Sequence, residues 1–250
     1  MEGKYKSLEI KQKSPNSRVF YVYLNRPSRG NALSLDLFLE FPEALSSLDQ
    51  NPNVAVIILA GAGPHFCTGI DLQTVNSMSN DTVSNDAGRT GEKLRREIKV
   101  MQRSITAIED CRKPVIAIVH GACLGGGVDI VTACDIRLPS IVGFGNAMEL
   151  SLTARRFSGL EAKQLGLVTQ VFDSKEAMED GVAAIAEGIA EKSPLAVIGT
   201  KRVLIHSRDL TVDQGLDYVA TWNSGVLLSD DLNEAISAQR QKKKPVFAKL

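Results

Sequence analysis

Val115-Ile116-Ala117-Ile118-Val119-His120-Gly121-Ala122-Cys123-Leu124-Gly125-Gly126-Gly127-Val128-Asp129 decides the fold. Its first five residues form an uninterrupted apolar run, as a strand buried on both faces requires. The glycines that follow free the backbone for unusual dihedrals and for close approach of a ligand. A helix is expected over 128–134. The same arrangement occurs upstream, where Val54-Ala55-Val56-Ile57-Ile58-Leu59 leads towards His65-Phe66-Cys67-Thr68-Gly69-Ile70-Asp71-Leu72. Two such turns side by side can aim two backbone N–H groups at one oxygen. That is the geometry of an oxyanion hole.

Outward from these turns, residues 7–12 and 18–25 predict a hairpin, the second arm being rich in aromatic and β-branched residues. Asn25-Arg26-Pro27-Ser28-Arg29-Gly30-Asn31 is turn chemistry. Ser34 is the expected N-cap of a helix whose apolar side is Leu35, Phe38, Leu39, Leu45 and Leu48, with Pro42 a candidate kink. A strand is expected over 54–59 and a polar loop over 74–91. Leu94, Ile98, Met101, Ile105 and Ile108 predict a helix over 92–109. Helices near 145–155 and 159–165 and a short strand over 167–172 come next. Met178, Val182, Ile185 and Ile189 then mark a helical stripe, and Ser193-Pro194 pairs an N-cap with Pro at the first helical position. Helices over 194–206, 212–228 and 230–241 complete the chain. The order predicts an α/β core over 1–175 and a helical region over 176–250.

The composition removes several classes of function. Lys+Arg and Asp+Glu balance at 29 each, which gives no overall attraction to nucleic acid or to an anionic membrane. No stretch approaches the roughly 18 consecutive apolar residues of a membrane span. Cys67, Cys111, Cys123 and Cys134 lack zinc-ligand spacing and are expected as reduced thiols, so no metal site is expected. Gly125-Gly126-Gly127 fits neither a dinucleotide fingerprint nor a phosphate loop. Ala248-Lys249-Leu250 is similar to a peroxisomal address, and is otherwise a chance match in a cytoplasmic protein.

Taken in order, the motifs resemble the crotonase, or enoyl-CoA hydratase/isomerase, superfamily. They are Asn25-Arg26-Pro27 with Asn31-Ala32-Leu33-Ser34, then Phe66-Cys67-Thr68-Gly69-Ile70-Asp71 and Lys113-Pro114-Val115-Ile116-Ala117. His120-Gly121 through Gly127, Cys134-Asp135-Ile136-Arg137 and Glu161-Ala162-Lys163-Gln164-Leu165-Gly166-Leu167-Val168 follow. Asp129 after the glycines is similar to the Δ3,5-Δ2,4-dienoyl-CoA isomerase branch, where hydratases carry Glu. The resemblance implies a spiral of ββα units with a C-terminal helical region that builds trimers or hexamers. It implies isomerisation of 3,5-dienoyl-CoA to 2,4-dienoyl-CoA in fatty-acid β-oxidation, with CoA part of the substrate and no resident cofactor. It places the thioester oxygen between the N–H groups of Ile70 and Gly126, and Asp129 at a catalytic position. Gly69, Ile70, Asp71, Leu72, Gln73 and Gly127 would line the acyl-CoA site, and the Asn31-Ala32 turn would help hold the nucleotide end.

One departure from the family pattern stands out. After Cys134-Asp135-Ile136-Arg137 the chain passes straight to Leu138-Pro139, where about 25 residues, roughly a strand and a helix, are absent. In the isomerases that segment supplies a Glu and an Asp credited with proton transfer. Of three acidic positions only Asp129 remains. The alternatives are therefore an enoyl-CoA hydratase, or a non-catalytic form that binds acyl-CoA or joins full-length partners.

Other residues have plainer readings. Asp129 can also serve a helix N-terminus through the dipole. Asp71 reads as a turn residue, His65 and His120 as packed or hydrogen-bonded, and Cys67 and Cys123 as small apolar residues. Glu149 is either an exposed helix residue or a carboxylate approaching the vacated site.

Overall fold

A computed structural model describes residues 4–74, 77, 87–134, 139–208 and 210–250. The junction between Arg137 and Leu138, and most of the stretch expected as a loop, lie outside them. Strands β1 (Leu8–Gln12) and β2 (Val19–Leu24) form the expected hairpin, Leu8 opposite Leu24 and Gln12 opposite Phe20. β3 (Val56–Gly61) lies parallel to β2, and β4 (Val115–Ile118) parallel to β3. The sheet order is β1-β2-β3-β4. Every residue of β3 is buried because both faces of the sheet are covered.

Side chains alternate between two cores, as strand geometry dictates. Val22, Leu24, Ile57, Leu59 and Val115 meet α1 (Leu35–Gln50), α2 (Ala87–Asp110) and α3 (Gly126–Ala133) on one face. Val19, Val56, Ile58, Ala60 and Ile118 meet α6 (Lys175–Ala190) on the other. α6 is thus the second layer of the core, and a boundary at 175/176 would cut a layer from its sheet.

Ser34 caps α1 as expected, accepting from the Leu37 N–H, and the helix runs through Pro42 without interruption. Its core face is Leu37, Phe38, Phe41, Ala44, Leu45 and Leu48; Leu35 and Leu39, expected on that side, are 51% and 58% exposed. α2 begins at Ala87, so 87–91 is helix rather than loop. Its C-terminal end enters the core at Ile108, while Leu94 and Ile98 are exposed.

Beyond α3 come α4 (Pro139–Thr153), broken at Gly143, and α5 (Gly159–Gln164). Val142, Ala162 and Leu167 form a small cluster of their own. Residues 167–172 are not a strand: among the described residues nothing pairs with them, and a lone strand has no stability in water. α7 (Pro194–Ser207) starts on the Ser193 cap with Pro at its first position, followed by α8 (Val212–Val226) and α9 (Asp230–Arg240). The buried Lys201 ties α7 to the sheet by donating to the Lys113 carbonyl at 2.9 Å. Among the described residues no helix is long and apolar enough to cross a membrane.

Candidate active site

Because β3 and β4 are parallel neighbours, their chains leave the sheet at the same end and stay side by side. The Phe66 N–H donates to the His120 carbonyl at 2.8 Å and the Cys67 N–H to the Ala122 carbonyl at 3.1 Å. The Leu124 N–H returns to the Cys67 carbonyl at 2.9 Å, so Cys67 faces Cys123 in a parallel bridge. A third segment flanks the first turn on its other side. Leu33 donates to the Gly69 carbonyl at 2.8 Å, and its own carbonyl accepts from the Asp71 N–H at 3.0 Å.

These bonds fix the direction of two N–H groups. The Gly69 carbonyl and the Ile70 N–H belong to one trans peptide, and the carbonyl is held by Leu33. The Ile70 N–H therefore points away from Leu33. The Gly125 carbonyl accepts from Val128 at 2.8 Å, into α3, so the Gly126 N–H points outward from the start of that helix, where the dipole is positive. Gly125 reaches this conformation at φ 48 and ψ −121, which glycine adopts without strain. The turns touch: a methyl group placed on Gly125 would lie 3.7 Å from the Gly69 Cα, and one on Gly126 3.7 Å from Ile70 Cγ1. Among the described residues neither the Ile70 nor the Gly126 N–H donates to a protein acceptor.

Asp129 lies one turn into α3 with its side chain exposed. Asp71 is spent structurally. It pairs with Arg26 at 2.8 Å and accepts from the Gln73 N–H at 2.9 Å, and that hydrogen bond first, then the guanidinium, hold its carboxyl below the usual carboxylate range. Ile70 is 41% exposed, Leu72 and Gln73 are exposed, and Gly69 is buried beside Leu124. Gly127 is buried against Cys67. The Asn31 side chain is buried and bonds the Ala62 and His65 carbonyls and the Arg26 N–H, so it braces the first turn from within. Glu149 is committed to Arg155, at 2.7 and 3.2 Å, which holds its carboxyl low, as the exposed-helix reading expects.

Burial pushes the Cys67 thiol up and the Cys123 thiol up to about 12. Both remain neutral near pH 7, which suits packing and not nucleophilic attack. A groove of about 1560 Å³ between α6, α7 and the residues near Val246 contains no residue of either turn.

Sequence reasoning missed Arg26 as an organiser: besides Asp71, it donates to the Ala32 carbonyl at 2.7 Å. The Asn25-Arg26-Pro27 motif was the available signal, and its partner could be found only in three dimensions.

The family model described as enoyl-CoA hydratase/isomerase matches residues 14–140 and 136–249, and the chain belongs to that family. The fold is crotonase-like: an enoyl-CoA hydratase from Bacillus anthracis superposes with a TM-score of 0.86 at 28% identity, covering 97% of this chain and 99% of that one. The chain is 62% identical over 273 residues to the Arabidopsis thaliana protein named Delta(3,5)-Delta(2,4)-dienoyl-CoA isomerase, peroxisomal, covering 98% of each. It is 37% identical over 266 residues to the Homo sapiens protein named Delta(3,5)-Delta(2,4)-dienoyl-CoA isomerase, mitochondrial, covering 96% of this chain and 80% of the relative. The Arabidopsis alignment is longer than the 250 residues present here, so that relative has positions with no counterpart in this chain. The two pieces of the family match overlap at 136–140, on the Arg137–Leu138 junction.

Proposed function

We propose that this chain binds dienoyl-CoA thioesters and isomerises 3,5-dienoyl-CoA to 2,4-dienoyl-CoA in β-oxidation. The observation that carries the reading is the pair of N–H groups, of Ile70 and Gly126, that have no acceptor among the described residues and lie on two turns in contact. Removing a proton next to a thioester places negative charge on the carbonyl oxygen. Fixed donors stabilise that enolate, each by about 3 kcal/mol. Asp129, near the same turn, is the carboxylate available to move a proton. The transposition is redox-neutral, and the reading requires no resident cofactor or metal.

The reading also predicts weak activity. A diene shift removes a proton at one position and adds one several carbons away, and one carboxylate must serve both. Each missing acid or base contributes on the order of 10²–10⁴-fold. The exposure of Ile70 and Asp129 leaves water in contact with the reacting region, which weakens electrostatic stabilisation there. The test is appearance of the 2,4-dienoyl-CoA ultraviolet band with purified protein. Slow turnover lost in Asp129→Asn supports the reading; turnover unchanged by that substitution would contradict it.

A second reading rests on the junction at 136–140: a non-catalytic subunit that joins full-length copies. Leu204, Leu216 and Leu228, exposed on and after the C-terminal helices, are the surface through which a trimer or hexamer would form. Co-expression with the Arabidopsis relative, followed by native mass measurement, should give mixed oligomers; separate species would contradict it. For location, we take the peroxisome of that relative, with Ala248-Lys249-Leu250 as the address.

A further inference from the structure

The two turns are joined by a feature that backbone pairing does not require. His65, on the first turn, accepts the Ala122 N–H at its Nδ1, 3.2 Å away on the second turn. His120, at the start of the second turn, bonds the Gly63 carbonyl on the first through its Nε2 at 2.9 Å. A carbonyl only accepts, so His120 carries its proton on Nε2; an N–H only donates, so His65 carries none on Nδ1. Each turn thus lends one imidazole to the other's backbone. Gly121 permits the crossing: its φ is +60, and a methyl group there would lie 2.1 Å from the Pro64 carbonyl oxygen and 2.8 Å from His65 Nδ1.

The chain from His65 runs through Cys67 to Ile70, and the chain from Ala122 runs through Leu124 to Gly126. Ala122 is held at both ends of its residue, the N–H by His65 and the carbonyl by Cys67. A shift of the second turn along the first would change the separation of the Ile70 and Gly126 donors. Two donors stabilise one oxygen only when both lie within hydrogen-bond reach of it.

We infer that His65 and His120 are positioning residues that set the register of the two oxyanion-hole turns by crossed hydrogen bonds. The inference rests on the reading of Ile70 and Gly126 as the hole. Neither histidine touches substrate in this account.

The test compares the affinity of an acyl-CoA thioester with that of the thioether analogue lacking the carbonyl oxygen. The wild-type protein should prefer the thioester by about tenfold, from two hydrogen bonds. A wild type without preference contradicts the hole itself. In His65→Leu and His120→Leu the preference should fall to about twofold or less, with thioether affinity unchanged. In His65→Asn, which keeps an acceptor, most of it should return. Full preference in both leucine variants overturns the inference and leaves the hole standing. Hydrogen exchange of the wild-type Ala122 amide checks the clasp without any substitution. Protection supports it, and exchange at the rate of an unfolded peptide overturns it.

Discussion

Gly126→Pro removes one N–H group and adds a ring at the start of α3. Gly126 is the first residue of α3, where proline is favoured and no intrahelical hydrogen bond is lost. The preceding Gly125 has no Cβ, so it is the residue least restricted by a following proline. A Cβ at position 126 would lie 2.6 Å from Leu33 Cδ1, the tip of a flexible but buried side chain. Repacking Leu33 costs about 1–3 kcal/mol. Gly126→Ala imposes the same Cβ crowding and keeps the N–H, whereas the proline ring also places Cδ where the N–H hydrogen was. The ratio of the two variants therefore isolates the donor only if both bind the thioether analogue alike. A hydrogen bond to a charged acceptor is worth about 1.5–3 kcal/mol, or about 10- to 150-fold in affinity. The assay is binding of a 3-ketoacyl-CoA, whose enolate is followed by its own ultraviolet band. Gly126→Pro should bind the enolate about 10- to 150-fold more weakly than Gly126→Ala, with both binding the thioether analogue alike. Equal enolate affinity in the two variants would refute the assignment of Gly126 to the hole.

Gly121→Ala should cost about 2–5 kcal/mol in urea denaturation, since it adds a left-handed alanine to a clash with the Pro64 carbonyl; loss below about 1 kcal/mol contradicts the crossing described. Asp71 has a carboxyl depressed in the folded state, so its contribution is present above the ordinary carboxylate range and is lost as pH falls through the depressed value. Asp71→Asn should therefore cost about 1–3 kcal/mol at pH 7 and much less near pH 2, read from denaturation midpoints at both. Cys123, raised from 9.0 to about 12, should hold about a thousandfold less thiolate at pH 8 than an ordinary cysteine. Alkylation of the native protein with mass mapping should leave Cys123 unmodified long after a urea-unfolded control is complete.

The parts of the fold that were legible in the sequence are those fixed by local rules. Val54 to Leu59 and Val115 to Val119 could be read as buried strands because nothing polar interrupts them, and Ser34 and Ser193 marked helix starts through capping. The phase of α1 was not legible. Its apolar residues spread so widely that two faces fit the spacing, and the sheet selected the one containing Leu37, Phe41 and Ala44. Residues 167–172 have strand composition, but a strand depends on a neighbour that local sequence does not specify.

The glycine turns could be located because glycine marks unusual backbone. The directions of the Ile70 and Gly126 N–H groups could not, since they depend on Leu33 and on α3, distant or later parts of the chain. Bonds such as His65 to Ala122 and Arg26 to Asp71 join residues that no periodicity relates. For the same reason the sequence alone reads both histidines simply as packed or hydrogen-bonded.

On the proposed reading, this chain keeps the groups that hold an enolate and lacks most of those that move protons. The most direct measurement inserts, at the Arg137–Leu138 junction, the residues of the Arabidopsis relative that have no counterpart in this chain, and compares the two proteins. Both should bind the 3-ketoacyl-CoA enolate within about threefold, the donors being common to both. The chain with the segment restored should convert 3,5-dienoyl-CoA at least about 10²-fold faster. Equal turnover by the two proteins would contradict the claim.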